Sequence, residues 1–261
     1  MKFHVIIPAR FESIRLPGKP LARIGDRSMI EHVCQKAVAS GAQSVTVATD
    51  HKQIKDCVEQ AGFKAVLTST EHTSGSDRIH EACDILEFSD DDIIVNVQGD
   101  EPFIPSKNIV QVATLIKKYQ TKMATLCCPI KDAREVEDPN VVKVIFDKNC
   151  KAIYFSRSII PFARDDSEKI TSGSSHYYRH IGIYAYTKAF LSEFVSWPQS
   201  HLEKFEKLEQ LRAVENGESI YLDVLKSAPP VGIDTQRNLD DANVYYQQKQ
   251  KQKQIEIGRK T

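Results

Sequence analysis

Four runs in the first hundred residues, VIIP (5–8), SVTVAT (44–49), KAVLTS (64–69) and DIIVNVQ (92–98), are β-branched and almost wholly apolar. A strand with one wet face alternates polar and apolar residues, so runs of this kind require cover on both faces. Helical spacing between them supplies it. Met29, Ile30, Val33, Ala37 and Val38 share one face and stop at Gly41; Ile79, Ala82, Cys83 and Leu86 share another; Pro105 opens a third, with Ile109, Val112, Ala113 and Ile116. This βαβα order reads as an α/β fold, a mainly parallel central sheet with helices on both faces. Its ligands belong beyond the carboxyl ends of the strands.

After Met123 strands dominate: MATLCCP, VVKVIF, KAIYFS and HYYRHIGIYAY, the second and third joined by the turn-prone DKNC. A smaller strand-rich subdomain is expected at about 150–190, and the polar stretch ARDDSEKITSGSS (163–175) reads as a mobile loop. One helix is expected near 188–196 and one near 203–216 that ends at Gly217, followed by the strand SIYLDVL. The Gln/Lys-rich segment 247–261 reads as a flexible tail, a solvated, fraying helix end. At 261 residues the chain fits a single domain.

Lys and Arg together equal Asp and Glu at 35 each, so a basic site must be a local concentration, and a nucleic-acid-binding face is not expected. The apolar stretch at the N-terminus is five residues, Phe3 to Ile7, too short for a signal peptide or membrane span, and a cytoplasmic location is expected. Cys34, Cys57, Cys83, Cys127, Cys128 and Cys150 show no C-x-x-C spacing, and neither a zinc site nor a disulfide is expected of them.

The stretch "VIIPARFESIRLPGKPL" leaves its strand with three cations, Arg10, Arg15 and Lys19, among prolines and a glycine. Cations and free backbone N–H groups at a strand's carboxyl end can clamp a triphosphate, although a solvated loop with local ion pairs has the same composition. It is not a P-loop, since Pro20 follows Gly18-Lys19, and the dinucleotide pattern G-x-G-x-x-G is absent. "VNVQGDEP" sets Asp100 just past a buried strand, where it is a turn former or a hard oxygen ligand for Mg²⁺. The run Asp90-Asp91-Asp92 lies at a strand's start and reads as a solvated turn. In "HTSGSDR" (72–78), Ser74, Gly75 and Ser76 either bind nucleotide at a helix N-terminus, with Arg78 adding charge, or simply cap that helix.

These blocks together resemble the 3-deoxy-manno-octulosonate (Kdo) cytidylyltransferase family. The resemblance runs through "IPARFESIRLPGKPL", "VATDH" (47–51), "HTSGSDR", "VNVQGDEP", "YFSRSIIP" (154–161), "RHIGIYAY" (179–186), "FEKLEQLR" (205–212) and "GIDT" (232–235), nearly the whole chain to about residue 240. The stretch AVENGES (213–219) and the extension after residue 246 depart from the family pattern.

The resemblance implies a nucleotide-diphospho-sugar-transferase fold and transfer of CMP from CTP to the anomeric hydroxyl of Kdo, with release of pyrophosphate. It also implies Mg²⁺ as cofactor and a cytoplasmic homodimer, with the strand-rich piece near the dimer contact, upstream of lipopolysaccharide assembly. By the same resemblance Arg10, Arg15, Lys19 and Asp100 are catalytic, and Asp100 and Asp234 hold the metal. Pro8, Ala9, Arg10, Arg15, Lys19, Ser74, Gly75 and Arg78 bind the nucleotide. Gln98, Arg157, His180, Tyr184, Glu209 and Gln210 bind the sugar acid, a set of donors, acceptors and one cation that suits a hydroxylated carboxylate. Read alone, His180 is equally a structural histidine and Glu209 an exposed helix residue. The same nucleotide motifs would serve an 8-amino Kdo analogue or a nonulosonic acid, and a scaffold that had lost turnover would be a nucleotide-binding regulator.

Overall fold

The structure, a computed structural model, describes residues 1–165 and 176–258, the side chains of 253 and 255–258 excepted. Most of the expected polar loop and the last residues of the expected tail therefore lie outside the described residues. In chain order the elements are β1 (His4–Ala9), a 3₁₀ turn (Lys19–Leu21), β2 (Arg23–Ile24), β3 (Arg27–Ser28), α1 (Met29–Val38), β4 (Ser44–Thr49), α2 (Lys52–Gln60), β5 (Lys64–Leu67), α3 (Gly75–Ile85), β6 (Ile93–Asn96), α4 (Ser106–Tyr119), β7 (Met123–Pro129), α5 (Ala133–Glu137), β8 (Lys143–Phe146), β9 (Ala152–Ser156), β10 (Tyr178–Thr187), α6 (Lys188–Ser196), α7 (His201–Glu206), α8 (Leu211–Glu215), β11 (Ile220–Val224) and α9 (Gln236–Gly258). They form a mixed α/β fold, and the chain divides into two compact units.

The first unit comprises residues 5–85, 97–106 and 229–261. Its strands lie in the order β1, β4, β5, with β4 and β5 parallel from Thr46↔Lys64 to Thr49↔Leu67. Val5, Ile6 and Ile7 are fully buried, as a run with no polar alternation requires. Helix α1 starts at a reciprocal cap in which Ser28 Oγ accepts the Glu31 N–H and Glu31 accepts the Ser28 N–H, both at 3.4 Å. It buries Met29, Ile30, Val33, Cys34 and Ala37.

Two elements here escaped the sequence patterns. Helix α2 buries only Ile54 and Val58 in a charged segment, too narrow a stripe to announce itself. The β2–β3 hairpin is two residues a side, pinned from the far end of the chain: the Gly25 N–H donates to Asn243 Oδ1 at 2.9 Å, and a Cβ on Gly25 would lie 2.2 Å from the Tyr246 ring. Ile233, Leu239 and Ala242 complete a cluster with Leu16, Ile24 and Met29. The segment read as a tail is helical as far as Gly258, continuing α9.

The second unit comprises residues 1–4, 86–96 and 107–228. Its strands run in the order β11, β7, β10, β6; β11 is parallel to β7, and β10 is antiparallel to both β7 and β6. The β8–β9 hairpin turns at DKNC, where the Cys150 N–H donates to Asp147 O at 3.0 Å, and leans on β10 at Arg179↔Lys143. Of the stretch expected to be strand-rich, β10 is thus an inner strand of the unit's sheet.

One expectation is corrected. The single helix expected near 203–216 is two, α7 and α8, broken at Lys207, whose φ of 55° lies in the left-handed region. The break returns the chain so that Arg212 reaches Glu203 with two bonds, at 2.8 and 2.7 Å, both residues being buried. That paired contact, and not helical periodicity, sets the local path.

Candidate active site

A cavity of about 710 Å³ opens at the carboxyl end of β1, within the first unit. Every residue expected for nucleotide and metal lines it: Pro8, Ala9, Arg10, Arg15, Lys19, Ser74, Gly75, Arg78, Asp100 and Asp234. Gln98, expected on the sugar side, lines it too.

Its charged centre is Lys19. The 3₁₀ turn at Lys19-Pro20-Leu21 follows Gly18, whose φ of 63° suits a residue without a side chain, and directs the ammonium group to Asp100 Oδ2 at 2.6 Å and Asp234 Oδ1 at 3.0 Å. Arg15 adds a contact to Asp234 Oδ1 at 3.1 Å. Backbone brings the two distant aspartates together: the Ile233 N–H donates to Asp100 O at 2.9 Å, so the residue before Asp234 is docked on Asp100 itself. Burial opposes the charge on Lys19, but Asp100 and then Asp234 outweigh it, and its pKa lies above the ordinary lysine value. Among the described residues Arg10 has no ion-pair partner and faces solvent.

One glycine admits the end of β1. A Cβ on Gly99 would lie 2.9 Å from Pro8 O, closer than packing allows, whereas one on Gly75 would stand at an ordinary contact distance, 3.7 Å, from the Pro8 ring. Ser74 fills the capping role that the sequence left open: its Oγ accepts the Asp77 N–H at 3.1 Å and donates to Asp77 Oδ2 at 2.9 Å. Arg78 is only 3 % exposed, and its guanidinium is engaged by Asp50 Oδ2 at 2.8 Å and Thr68 Oγ1 at 2.6 Å. It reaches the cavity wall as half of an ion pair and not as a free cation.

His72 also lines the cavity and was missed in the sequence, although it opens the "HTSGSDR" block. Its Nε2 is hydrogen-bonded to Glu81 Oε2, which also accepts the Ser69 N–H at 2.8 Å. The signal was a histidine nine positions before a glutamate, a spacing with no helical meaning because α3 begins between them.

The other residues expected for the sugar acid lie in the second unit. The His180 and Tyr184 rings on β10 are 5.3 Å apart, and His180 Nε2 shares a hydrogen bond with Thr125 Oγ1 at 3.0 Å. Burial, then the nearby Arg179, pushes His180 down to about 3, so the ring is neutral at physiological pH. Burial, followed by Tyr186 and Glu209, raises Tyr184 well above the ordinary phenol value, so it keeps its proton. Gln210 is 5 % exposed with its Nε2 lacking a hydrogen-bond partner among the described residues, a buried donor left for a ligand or water. The break at Lys207 places Glu209 and Gln210 between two helices and not on the face of one. Arg157 is anchored by Nε to Glu206 O at 2.8 Å and by Nη1 to Pro139 O at 2.9 Å.

Among the described residues no three or more His, Cys, Asp or Glu side chains converge as a metal cage. Two carboxylates on one cation are nonetheless the donor set that suits Mg²⁺, which takes one or two carboxylates and completes its shell with phosphate and water.

Residues 4–220 match the family model described as Cytidylyltransferase. The chain is 47 % identical over 247 residues to the 3-deoxy-manno-octulosonate cytidylyltransferase of Histophilus somni (strain 2336), covering 92 % of this chain and 96 % of that protein. It is 49 % identical over 248 residues to the protein of the same name from Aeromonas hydrophila subsp. hydrophila, covering 92 % and 97 %. A solved structure of CMP:2-keto-3-deoxy-manno-octonic acid synthetase complexed with CTP superposes with a TM-score of 0.87 at 36 % identity, over 95 % of this chain and all of that one.

Proposed function

The chain belongs to the cytidylyltransferase family, and from that premise we propose that it is a 3-deoxy-manno-octulosonate cytidylyltransferase. It transfers CMP from CTP to the anomeric hydroxyl of Kdo, giving CMP-Kdo and pyrophosphate. The observation that carries this reading is the convergence of Arg15, Lys19, Asp100 and Asp234, at 2.6 to 3.1 Å, in a cavity walled by Pro8, Ala9 and the start of α3.

Arg10, Arg15 and Lys19 lower the cost of bringing an anionic sugar to a triphosphate and stabilise the charge that develops on departing pyrophosphate. The cytosine is read by backbone at Pro8 and Ala9, and the Ser74-Gly75 turn supplies N–H groups. Asp100 and Asp234 are the side chains that would hold Mg²⁺, which when bound supplies a Lewis acid that acidifies the attacking hydroxyl. Reaction at the α-phosphorus needs no nucleophile from the protein.

In the second unit Arg157 is the cation for the Kdo carboxylate. Neutral His180, protonated Tyr184, Glu209 and the free donor of Gln210 serve its hydroxyls. The chain acts as a homodimer in the cytoplasm and feeds lipopolysaccharide assembly. Support for the interface comes from the exposed Ile153, Ile159, Phe162 and Phe205 of the second unit. No described helix is long and apolar enough to cross a membrane.

Pyrophosphate release with CTP, Mg²⁺ and, in parallel, Kdo, 8-amino-Kdo and N-acetylneuraminate tests the assignment. Kdo is expected to give the highest kcat/KM. CTP binding without release on any acceptor would reduce the protein to a nucleotide-binding scaffold.

A further inference from the structure

The basic loop is fastened at its start on one aromatic ring. Phe11, directly after Arg10, stacks on His51 with ring centroids 3.9 Å apart and planes inclined by 18°. Gly18, at the loop's other end, lies beside the same ring, since a Cβ added there would stand 3.9 Å from it. The backbone is held as well: the Phe11 N–H donates to Asp50 Oδ1 at 3.2 Å, while Asp50 Oδ2 accepts from Arg78 at 2.8 Å. Between these ends the span is open. Ile14 is fully exposed, and Arg15 leaves most of its side chain in water while reaching Asp234 at 3.1 Å.

A segment carrying two guanidinium groups must be ordered before both can meet a phosphate chain, and that ordering opposes binding unless it exists beforehand. Asp50 and His51 belong to the "VATDH" block, to which the chemistry proposed above gives no task. Neither side chain is among those lining the cavity. We propose that Asp50 and His51 are positioning residues for CTP: they grip Phe11, and through it preset the span from Arg10 to Lys19. The proposal rests on that span being the triphosphate cradle.

His51 allows a clean test because it has a second job. Its Nδ1 accepts the Gln53 N–H at 3.3 Å and so caps α2. His51→Asn keeps a capping acceptor and removes the ring, whereas His51→Phe keeps a ring and removes the cap. Steady-state KM for CTP and for Kdo would be measured for both, beside Tm. His51→Asn is expected to raise KM for CTP about tenfold with KM for Kdo unchanged, and His51→Phe to hold KM for CTP near the parental value in spite of a lower Tm. Phe11→Leu, which retains the backbone bond to Asp50, is expected to behave as His51→Asn does.

Parental KM for CTP in both His51→Asn and Phe11→Leu, or a KM that follows the cap instead of the ring, would overturn the proposal. Arg15→Ala separates the two levels. An unchanged KM for CTP in that variant sinks the cradle reading itself, while a raised KM there with parental values in His51→Asn sinks only the positioning role.

Discussion

Asp100 and Asp234, 134 positions apart in the chain, meet on a single ammonium group, that of Lys19, at 2.6 and 3.0 Å. Two carboxylates this close repel each other unless a cation lies between them, so Lys19 holds the centre together before any ligand arrives. Its raised pKa keeps it charged, and that stabilisation is complete below the unfolded lysine value, about 10.4, and is lost only as pH rises through the folded value. Lys19→Ala is expected to lower turnover about a hundredfold, equivalent to ~3 kcal/mol of transition-state stabilisation. Pyrophosphate release at saturating CTP and Mg²⁺ is the measurement, and near-parental turnover would remove Lys19 from the chemistry.

Asp234→Asn keeps the size of the side chain and one acceptor oxygen but removes a charge. Its activity is expected to require about tenfold more Mg²⁺ for half-maximal rate. A Mg²⁺ titration of the two proteins that gave superimposable curves would rule out Asp234 as a ligand.

The residues around this centre were legible because their blocks are local in sequence and each ends or begins an element. A loop after an all-apolar strand and a Gly-Asp after another announce the cavity. Long-range pairing was not legible. Nothing in "HTSGSDR" tells that Arg78 turns inward to Asp50 or that His72 meets Glu81, because both partners are set by the tertiary path. The same holds for α7 and α8: the residues from 203 to 216 carry helical spacing throughout, and only the buried Arg212–Glu203 pair makes the turn at Lys207 worthwhile.

That pair gives a stability prediction. Both members are buried, and Arg212 also lies over the Phe194 ring at 4.6 Å. Arg212→Met leaves Glu203 as an uncompensated buried charge and is expected to cost about 3–5 kcal/mol. The double variant Arg212→Met/Glu203→Leu is expected to recover most of it, as read by urea unfolding. A double variant as unstable as the single one would mean that packing, and not charge, dominates there.

His180 sets an acid limit. Its folded pKa of about 3 lies below the ordinary histidine value of 6.5, so between these values the unfolded chain takes up a proton that the folded one refuses. Stability is therefore lost as pH falls from about 6.5 towards about 3. His180→Gln, which retains a partner for Thr125, is expected to show a smaller fall in Tm between neutral pH and pH 4, on the order of the lost His contribution. Parallel Tm profiles for the two proteins would show that His180 does not titrate in this way.

Gly99→Ala tests the closeness of the cavity wall. Its Cβ would stand 2.9 Å from Pro8 O, a backbone atom that cannot turn aside. A destabilisation of about 1–3 kcal/mol with a raised KM for CTP is expected. Parental values in both would show that β1 yields at its end.

The first unit is assembled from three stretches of chain, and the last, from Pro229 onward, carries Asp234 together with Ile233, Leu239 and Ala242 of the cluster beneath the hairpin. A ribosome makes Lys19 of the basic loop 215 residues before its second acidic counterpart, Asp234. A nascent chain therefore carries the cations for a triphosphate long before it has the place to use them, and competence to handle a nucleotide waits for the stretch that brings Asp234.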